Sequence, residues 1–593
     1  MDGNGVTLKT TNRTTLSSRL RTPSIKLLLL WLAPLAFLAL FYFFPLGSIL
    51  QVSFARSESG LIAPIQQALA SPAFRDVLWF TFWQASLSTL LTLAIGLPGA
   101  YLFARYQFPG KSILRALSGI AFVLPTLVVA AAFNALLGPQ GLVNASLMSV
   151  FGLEQPPIMF THTLYAILLA HVFYNTTIVL RLVGDFWSHL DPKLGQAAQV
   201  LGANRWRTLW HVTLPLLSPA IASAVVLTFI FTFTSFGVIL VLGGPQFSTL
   251  ETEIYYQTVS LFNLPLAATL ALIQLGCTLA LTIVYTRLAN RLSRPLNLRP
   301  VEFTQRSLTS WRQRILAGTY IILLLILILT PLFALAFRSV SRFERTSTTT
   351  ARQGYGKPEW GGVTLDYYRE LNINRRESLF FAPPTTTIAI SLLYASATVV
   401  LALLLGTPAA WALARNRESI LNRSLDPLLM LPLGTSAVTL GLGFIVALDK
   451  PPLDLRASPL LIPLAHTLVA FPFVIRSLTP SLHSISPRVR QAASVMGASP
   501  SKVFRHIDLP LVGRALLVAA AFAFTISMGE FGATALIARP EYPTIPIAIY
   551  RLITRPGTMN YGQALALSTI LMLVTGFGML AIERFRIADV GEF

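Results

Sequence analysis

The chain has 593 residues, 54% of them hydrophobic and only 12% charged, with a mean hydropathy of +0.65. A soluble chain of this length carries about 25% charged residues, so the composition excludes a soluble globular protein and indicates a polytopic membrane protein. The net charge of +21 does not indicate nucleic acid, because Lys and Arg are scattered between apolar runs with no basic stripe alternating with aromatics.

In chain order, a polar, basic N-terminus (Lys9, Arg13, Arg19, Arg21, Lys26) precedes an apolar run from Leu27 to Leu50. That run exceeds signal-peptide length and lacks a small-residue cleavage site, so it reads as a first span. Apolar blocks of about 20 residues, enough to cross a hydrocarbon core as helix, then recur. They lie near 27–50, 78–104, 114–137, 162–183, 218–242 and 265–288, and again near 315–338, 385–414, 425–447, 459–478, 514–537 and 563–583. The expected fold is all-α, with about 12 transmembrane helices in two tandem six-helix units. The expected division is a cytoplasmic tail (1–26), a first unit (27–290), a basic cytoplasmic linker (291–314), a second unit (315–585) with an extracytoplasmic loop at 339–384, and a cytoplasmic tail (586–593). Pro98 and Pro408 fall inside spans and are expected to kink them. The only cysteine, Cys277, lies in an apolar run, which excludes an intrachain disulfide and a cysteine metal site.

Orientation follows the placement of positive charge. Segments 138–161 and 243–264 contain no Lys or Arg, whereas the alternating segments carry Arg105 and Lys111, then Lys193, Arg205 and Arg207, then Arg287, Arg291, Arg294, Arg299 and Arg306. Both termini are therefore expected in the cytoplasm. The basic segment 339–384 is assigned outside despite its charge; it is long, and it also carries Glu344, Asp366, Glu370 and Glu377.

The chain repeats itself. QAAQVLGANRWRTLWHVTLPL, from Gln196 to Leu216, returns as QAASVMGASPSKVFRHIDLPL, from Gln491 to Leu511, 295 residues on. The same offset relates Ala170-His171 to Ala465-His466, Arg181 to Arg476, Phe236-Gly237 to Phe531-Gly532, and Tyr255 to Tyr550. Gly96 to Ala100 matches Gly406 to Ala410 at an offset of 310, so loop lengths differ between the halves. Each copy reads as two short helices around a glycine. Asp191-Pro192 and Ser486-Pro487 supply an N-cap and a first-turn proline. Gly202 and Gly497 end the first helix, and Asn204 and Ser499 cap the second. Leu214-Pro215 and Leu509-Pro510 are expected to stop that second helix before the next span. Such an elbow is amphipathic, too short to be stable alone, and in need of a partner surface.

Gln196-Ala197-Ala198 with Gly202, and Gln491-Ala492-Ala493 with Gly497, each followed by a Leu-Pro pair, resemble the "EAA" loop of binding-protein-dependent ABC importer permeases. The resemblance covers nearly the whole chain and implies a type I ABC permease fold in each unit. It further implies that 196–202 and 491–497 are coupling helices seated on two copies of an ABC ATPase subunit, with an extracytoplasmic binding protein delivering the solute. It implies no cofactor in this chain, ATP-Mg being held by the partner ATPase, and no enzyme activity of its own. Gln196 and Gln491 replace the family's usual glutamate, so a hydrogen bond but no salt bridge is available there. Phe108-Pro109-Gly110-Lys111-Ser112 ends like a phosphate-binding loop, but Arg105 occupies the position of its first glycine and a membrane helix precedes it.

A charged residue within a span is a functional candidate. Glu530, with Ser235 at its place in the first half, reads either as a substrate-path residue meeting a cation or as an acid bonded to a neighbouring helix or hinge backbone. His171 and His466 occupy equivalent places and read as interhelical hydrogen-bonding residues or substrate contacts. Phe173, Tyr174, Tyr255 and Tyr256 read as packing or interface residues. No serine–histidine–acid set and no paired metal ligands stand out. Fusion of two units in one chain resembles the thiamine and iron(III) branches of the family. Ser235-Phe236-Gly237 followed by Gly243-Gly244-Pro245-Gln246, Thr249, Glu251 and Ile254-Tyr255, and Glu530-Phe531-Gly532 with Thr544-Ile545-Pro546 and Tyr550-Arg551, are most similar to the thiamine permease. A gradient-driven secondary transporter is the rival from another class. Its repeats are commonly inverted, whereas these halves run parallel, and it has no need of a duplicated elbow.

Overall fold

The computed structural model describes residues 25–54, 63–292, 304–345, 358–374, 382–415, 419–449, 451 and 453–585. The expected tails (1–26 from residue 1 to 24, and 586–593), the middle of the linker and parts of the 339–384 loop lie outside the described residues. Helix dominates because a backbone in hydrocarbon must satisfy its own N–H and C=O groups. Among the described residues, eleven helices are long and apolar enough to cross a membrane, or twelve if a pair bent by 95°, Leu421–Gly434 with Ala437–Ala447, is one span.

Most of the long helices fall where expected, but several features differ from the sequence reading. The expected third spans, 114–137 and 425–447, are both interrupted, and in the first unit the stretch long and apolar enough to cross is Thr126–Phe151. In the first, Lys111–Val123 ends before Leu124-Pro125 and Thr126–Leu137 starts a new helix. Pro125 has no N–H to give and its ring obstructs the preceding turn. In the second, the Ser436 hydroxyl accepts from the N–H groups of Val438 and Thr439 and starts Ala437–Ala447 afresh. Segment 138–161, expected as loop, contains the helix Leu142–Phe151.

The Leu-Pro pairs also do not stop the elbow's second helix. It runs on into the fifth span through one π-helical turn, Leu209–Thr213 in the first unit and Phe504–Asp508 in the second. The N–H of Leu214 reaches back to the carbonyl of Leu209 and that of Leu509 to Phe504. This wider turn accommodates the proline that follows. The fifth spans then end early, at Phe233 and Gly529. Beyond each, the chain breaks, turns, and forms a further buried helix, Leu250–Val259 and Ile545–Ile553.

Among the described residues, two short strand pairs depart from the expected all-α fold: Tyr106–Gln107 with Arg306–Ser307, parallel, and Ser341–Arg345 with Pro358–Val363, antiparallel.

The two units are interlocked. The first span, Leu30–Phe54, lies against the second unit: Tyr42 bonds Thr435 through their hydroxyls at 2.7 Å, and Phe37 meets Phe471 at 6.3 Å between ring centroids. Trp311–Ser339, the second unit's first span, lies against the first unit, where the Tyr320 hydroxyl donates to the carbonyl of Ile95 at 3.0 Å. Each half completes the other's core, and burial of these apolar faces is shared across the repeat.

Candidate functional site

The two elbows are built alike. The helices Pro192–Val200 and Pro487–Val495 are opened by Asp191, which accepts from the Lys193 N–H at 3.0 Å, and by Ser486, which accepts from the Arg488 N–H at 3.4 Å. Gly202 (φ +88°) and Gly497 (φ +81°) close them in the left-handed conformation that an L side chain adopts only with strain. Asn204 and Ser499 then accept from the N–H groups of Arg207 and Lys502. Gln196, Ala197, Gln491 and Ala492 are exposed, Ala198 is half-buried and Ala493 is buried. Pro215, Leu509 and Pro510 are exposed and Leu214 is half-buried. At each tip an apolar pair stands free of its own chain: Val200 is 88% and Leu201 87% exposed, Val495 88% and Met496 81%. A Cβ at either glycine would touch nothing within 4 Å, so the space beyond is open.

The elbows differ in how they are held. In the second, the Arg490 guanidinium donates to Asp508 at 2.7 Å and lies 5.6 Å from the centroid of Trp411, which packs edge-on against Phe504 at 5.3 Å. Gly195 and Thr213 stand at the places of Arg490 and Asp508 in the first elbow, whose Trp206 and Trp210 are exposed instead. On the same side, Lys111 donates to the carbonyl of Tyr106 at 3.0 Å, and burial, with Arg115 nearby, pushes its ammonium down to about 8. It closes a turn, as expected for a basic connector.

Between the membrane faces, both histidines are buried nodes. His171 sits between the hydroxyls of Ser88 and Ser235, each at 2.9 Å, and so joins the second and fourth spans to the break after the fifth. His466 sits between Ser527 and Thr534, each at 2.8 Å, and Ser527 donates on to Thr398. The Glu530 carboxylate lies 3.2 Å from His466. It accepts from the N–H groups of Ala533 at 2.8 Å and Thr534 at 3.0 Å, and from the Thr534 hydroxyl at 2.5 Å. Glu530 thus anchors the N-terminus of the short helix Gly532–Ile537 beside its hinge.

The sequence reading did not single out Glu251 as a site residue. It is 1% exposed on Leu250–Val259, where one carboxylate oxygen accepts from Gln274 at 2.5 Å and the other from Ser436 of the second unit at 2.7 Å. Ser436 is also the cap at the bent third span, so the acid ties the units together at a helix break. Pro546 stands at its place in the second unit. Its signal was weak: an acid in a segment without Lys or Arg reads as outer loop.

Four aromatic residues meet between the units. Phe236 and Phe531 stack with centroids 5.3 Å apart and planes at 21°. Phe236 packs on Tyr255 at 5.4 Å and Phe531 on Tyr550 at 5.6 Å. Farther toward the elbows, Arg181 pairs with Glu583 of the second unit's last span.

The family described as "Binding-protein-dependent transport system inner membrane component" matches twice, over residues 96–294 and 402–587. The chain is 27% identical over 521 residues to the thiamine transport system permease protein ThiP of Escherichia coli (strain K12), covering 86% of this chain and 88% of that one. It is 24% identical over 568 residues to the "Probable ABC transporter permease protein y4fN" of Sinorhizobium fredii (strain NBRC 101917 / NGR234), covering 93% and 95%. A chain in a crystal structure of a bacterial ABC transporter that imports the acidic polysaccharide alginate superposes with a TM-score of 0.39 and 19% identity, covering 46% of this chain and 96% of that one.

Proposed function

Since this chain belongs to the binding-protein-dependent transport system inner membrane components, and is on that ground a multi-pass inner-membrane permease subunit of an ABC importer, we propose that it imports a thiamine-type solute. The two elbows are the seats of two copies of an ATPase subunit that alone holds ATP-Mg. The observation that carries the coupling role is the pair of like-capped elbows, each presenting an apolar pair more than four-fifths exposed. Exposed apolar groups at a membrane protein's polar face point to a partner surface. Closure of the ATPase pair would carry the elbows together. Because each elbow's second helix runs unbroken into a fifth span, that movement reaches the middle of the membrane without a loose joint. The elbow side is then cytoplasmic, as are both termini, and the binding protein docks on the opposite face. Glu530, Ser235, His171 and His466 would shape the walls of the path.

Identity to thiamine permeases along 86% of the chain supports thiamine over iron(III) as cargo. The reading is tested by reconstituting the chain with its ATPase and binding protein in liposomes. Labelled thiamine is expected to accumulate only while ATP is hydrolysed. Accumulation driven by an ion gradient without ATP would assign a secondary transporter, and uptake of Fe³⁺ instead would assign the iron(III) branch.

A further inference from the structure

We propose that Phe236 and Phe531, backed by Tyr255 and Tyr550, form a gate that closes the solute path on the side away from the elbows. The inference begins with the internal symmetry. Phe531 follows Phe236 by 295 residues, and Tyr550 follows Tyr255 by the same interval. In an object built from two like halves, a residue touches its own counterpart only at the axis relating them. The stack of Phe236 on Phe531 therefore marks that axis. The flanking contacts obey the same symmetry, at 5.4 Å and 56° on one side and 5.6 Å and 54° on the other. On the import reading the solute passes between the two units, and so along this axis, where both phenylalanines are buried, 6% and 3% exposed. The rings fill the path.

The level of the gate follows from the helices around it. Ser235, next to Phe236, bonds His171, which lies one and a half to two turns into the fourth span, Leu164–His189, or about 10 Å from its start at 1.5 Å per residue. The cytoplasmic end of that span leads into the elbow, so the rings occupy the opposite half of the membrane. The barrier is apolar, because the nearby acids are engaged elsewhere: Glu530 with the backbone of Ala533 and Thr534, and Glu251 with Gln274 and Ser436.

The backbone that carries the rings is suited to move. Each phenylalanine follows the end of a fifth-span helix, at Phe233 or Gly529, and each fifth span is continuous with an elbow. A push at the elbow is thus delivered at the base of a ring. Close packing defines the shut position: a Cβ at Gly237 would come within 2.5 Å of the Thr126 hydroxyl and 3.3 Å of the Phe531 ring, and one at Gly529 within 3.0 Å of Pro125 across the unit boundary.

The proposal rests on the import reading and is tested so that the two can fail separately. In a chain with Cys277→Ser, which removes its only cysteine, F236C and F531C are joined by a reducible bismaleimide after assembly with the ATPase and binding protein. ATP-driven uptake of labelled thiamine is expected to fall to the level without ATP, and to return on reduction. Undiminished uptake by the joined chain would overturn the gate. The single variants F236A and F531A extend the test should the two-cysteine chain not insert. Each is expected to release preloaded thiamine faster than the unaltered chain when ATP is absent, and an unchanged leak from both would place the rings off the path. If the unaltered chain does not pump thiamine at all, the thiamine reading is what fails, and the same arms are run with Fe³⁺.

Discussion

The two units share a skeleton and differ in how it is fastened. Both have a histidine node under the fifth-span break, but His171 faces only hydroxyls there while His466 faces a hydroxyl pair and a carboxylate. Both have a helix after that break, but only the first unit's sends a buried acid across to the other unit. Both have an elbow, but the second's Arg490–Asp508 pair beside Trp411 has no counterpart at Gly195 and Thr213 in the first. What the halves keep in common is the continuous elbow and fifth span, the left-handed glycine and the ring on the axis, all parts of a moving train. What they vary is the set of polar contacts that fix each train to its surroundings. The difference separates the mechanism from its mountings.

The elbows' shared part is expected to give the largest effect. A valine at Gly202 or Gly497 would be forced into a left-handed conformation that costs about 1–2 kcal/mol, and would project into the open space where a partner sits. With both replaced, ATP-driven uptake is expected to fall to background while membrane insertion and the amount of folded protein persist. The comparison breaks if one single variant alone is silent, because the two elbows would then not be equivalent in the cycle. Uptake and ATP hydrolysis measured on the same liposomes check it.

The next largest effects concern the buried acids, which belong to one unit each. E251A leaves Gln274 and Ser436 without their shared acceptor, at a cost of about 1–3 kcal/mol for groups left buried and unpaired. E251Q preserves one acceptor oxygen and is expected to lose less. P546A, at the same place in the second unit, removes no such contact, and its melting temperature in detergent is expected to stay close to that of the unaltered chain. E530Q should likewise lower the melting temperature, since a single amide oxygen replaces two carboxylate oxygens that serve two N–H groups and a hydroxyl. If E251A and P546A melt alike, the strut between the units is not a fastening.

Much of this was legible in the sequence, for physical reasons that also explain what was not. Spans were legible because hydrocarbon demands about 20 apolar residues in a row. The elbows were legible because Asp191, Asn204 and Gly202 each have one strong local use. The break at Pro125 was less so: the residues on both sides are apolar and buried, and hydropathy does not register a change of direction. The buried helix Leu250–Val259 was hidden for the opposite reason, since Glu251 and Glu253 give it the look of a polar loop. The exchange of first spans between units has no local signature, because Leu30–Phe54 would be equally apolar against either core. At Glu530 the sequence left two readings side by side, and the geometry adds the detail that its oxygens hold the helix after the hinge.

The smallest expected effect on uptake tests whether the brace on the second elbow is a mounting or part of the train. Asp508 is almost fully buried and Arg490 about one-third exposed, so R490A leaves a buried carboxylate with its ionic partner gone, while D508N keeps the site polar and neutral. R490A is therefore expected to be the more damaging of the two, lowering stability by roughly 1–3 kcal/mol. W411L removes the ring between Arg490 and Phe504, a contact worth about 0.5–1 kcal/mol at a partly exposed site. If the brace is only a mounting, all three variants should lower the melting temperature while uptake per folded molecule, at saturating ATPase, stays near that of the unaltered chain. The first elbow works with Gly195 and Thr213 in those places, which is the reason to expect this outcome. A brace that transmitted the stroke would instead show ATP hydrolysis preserved and uptake lost in D508N, and the second elbow would then be the more tightly coupled of the two.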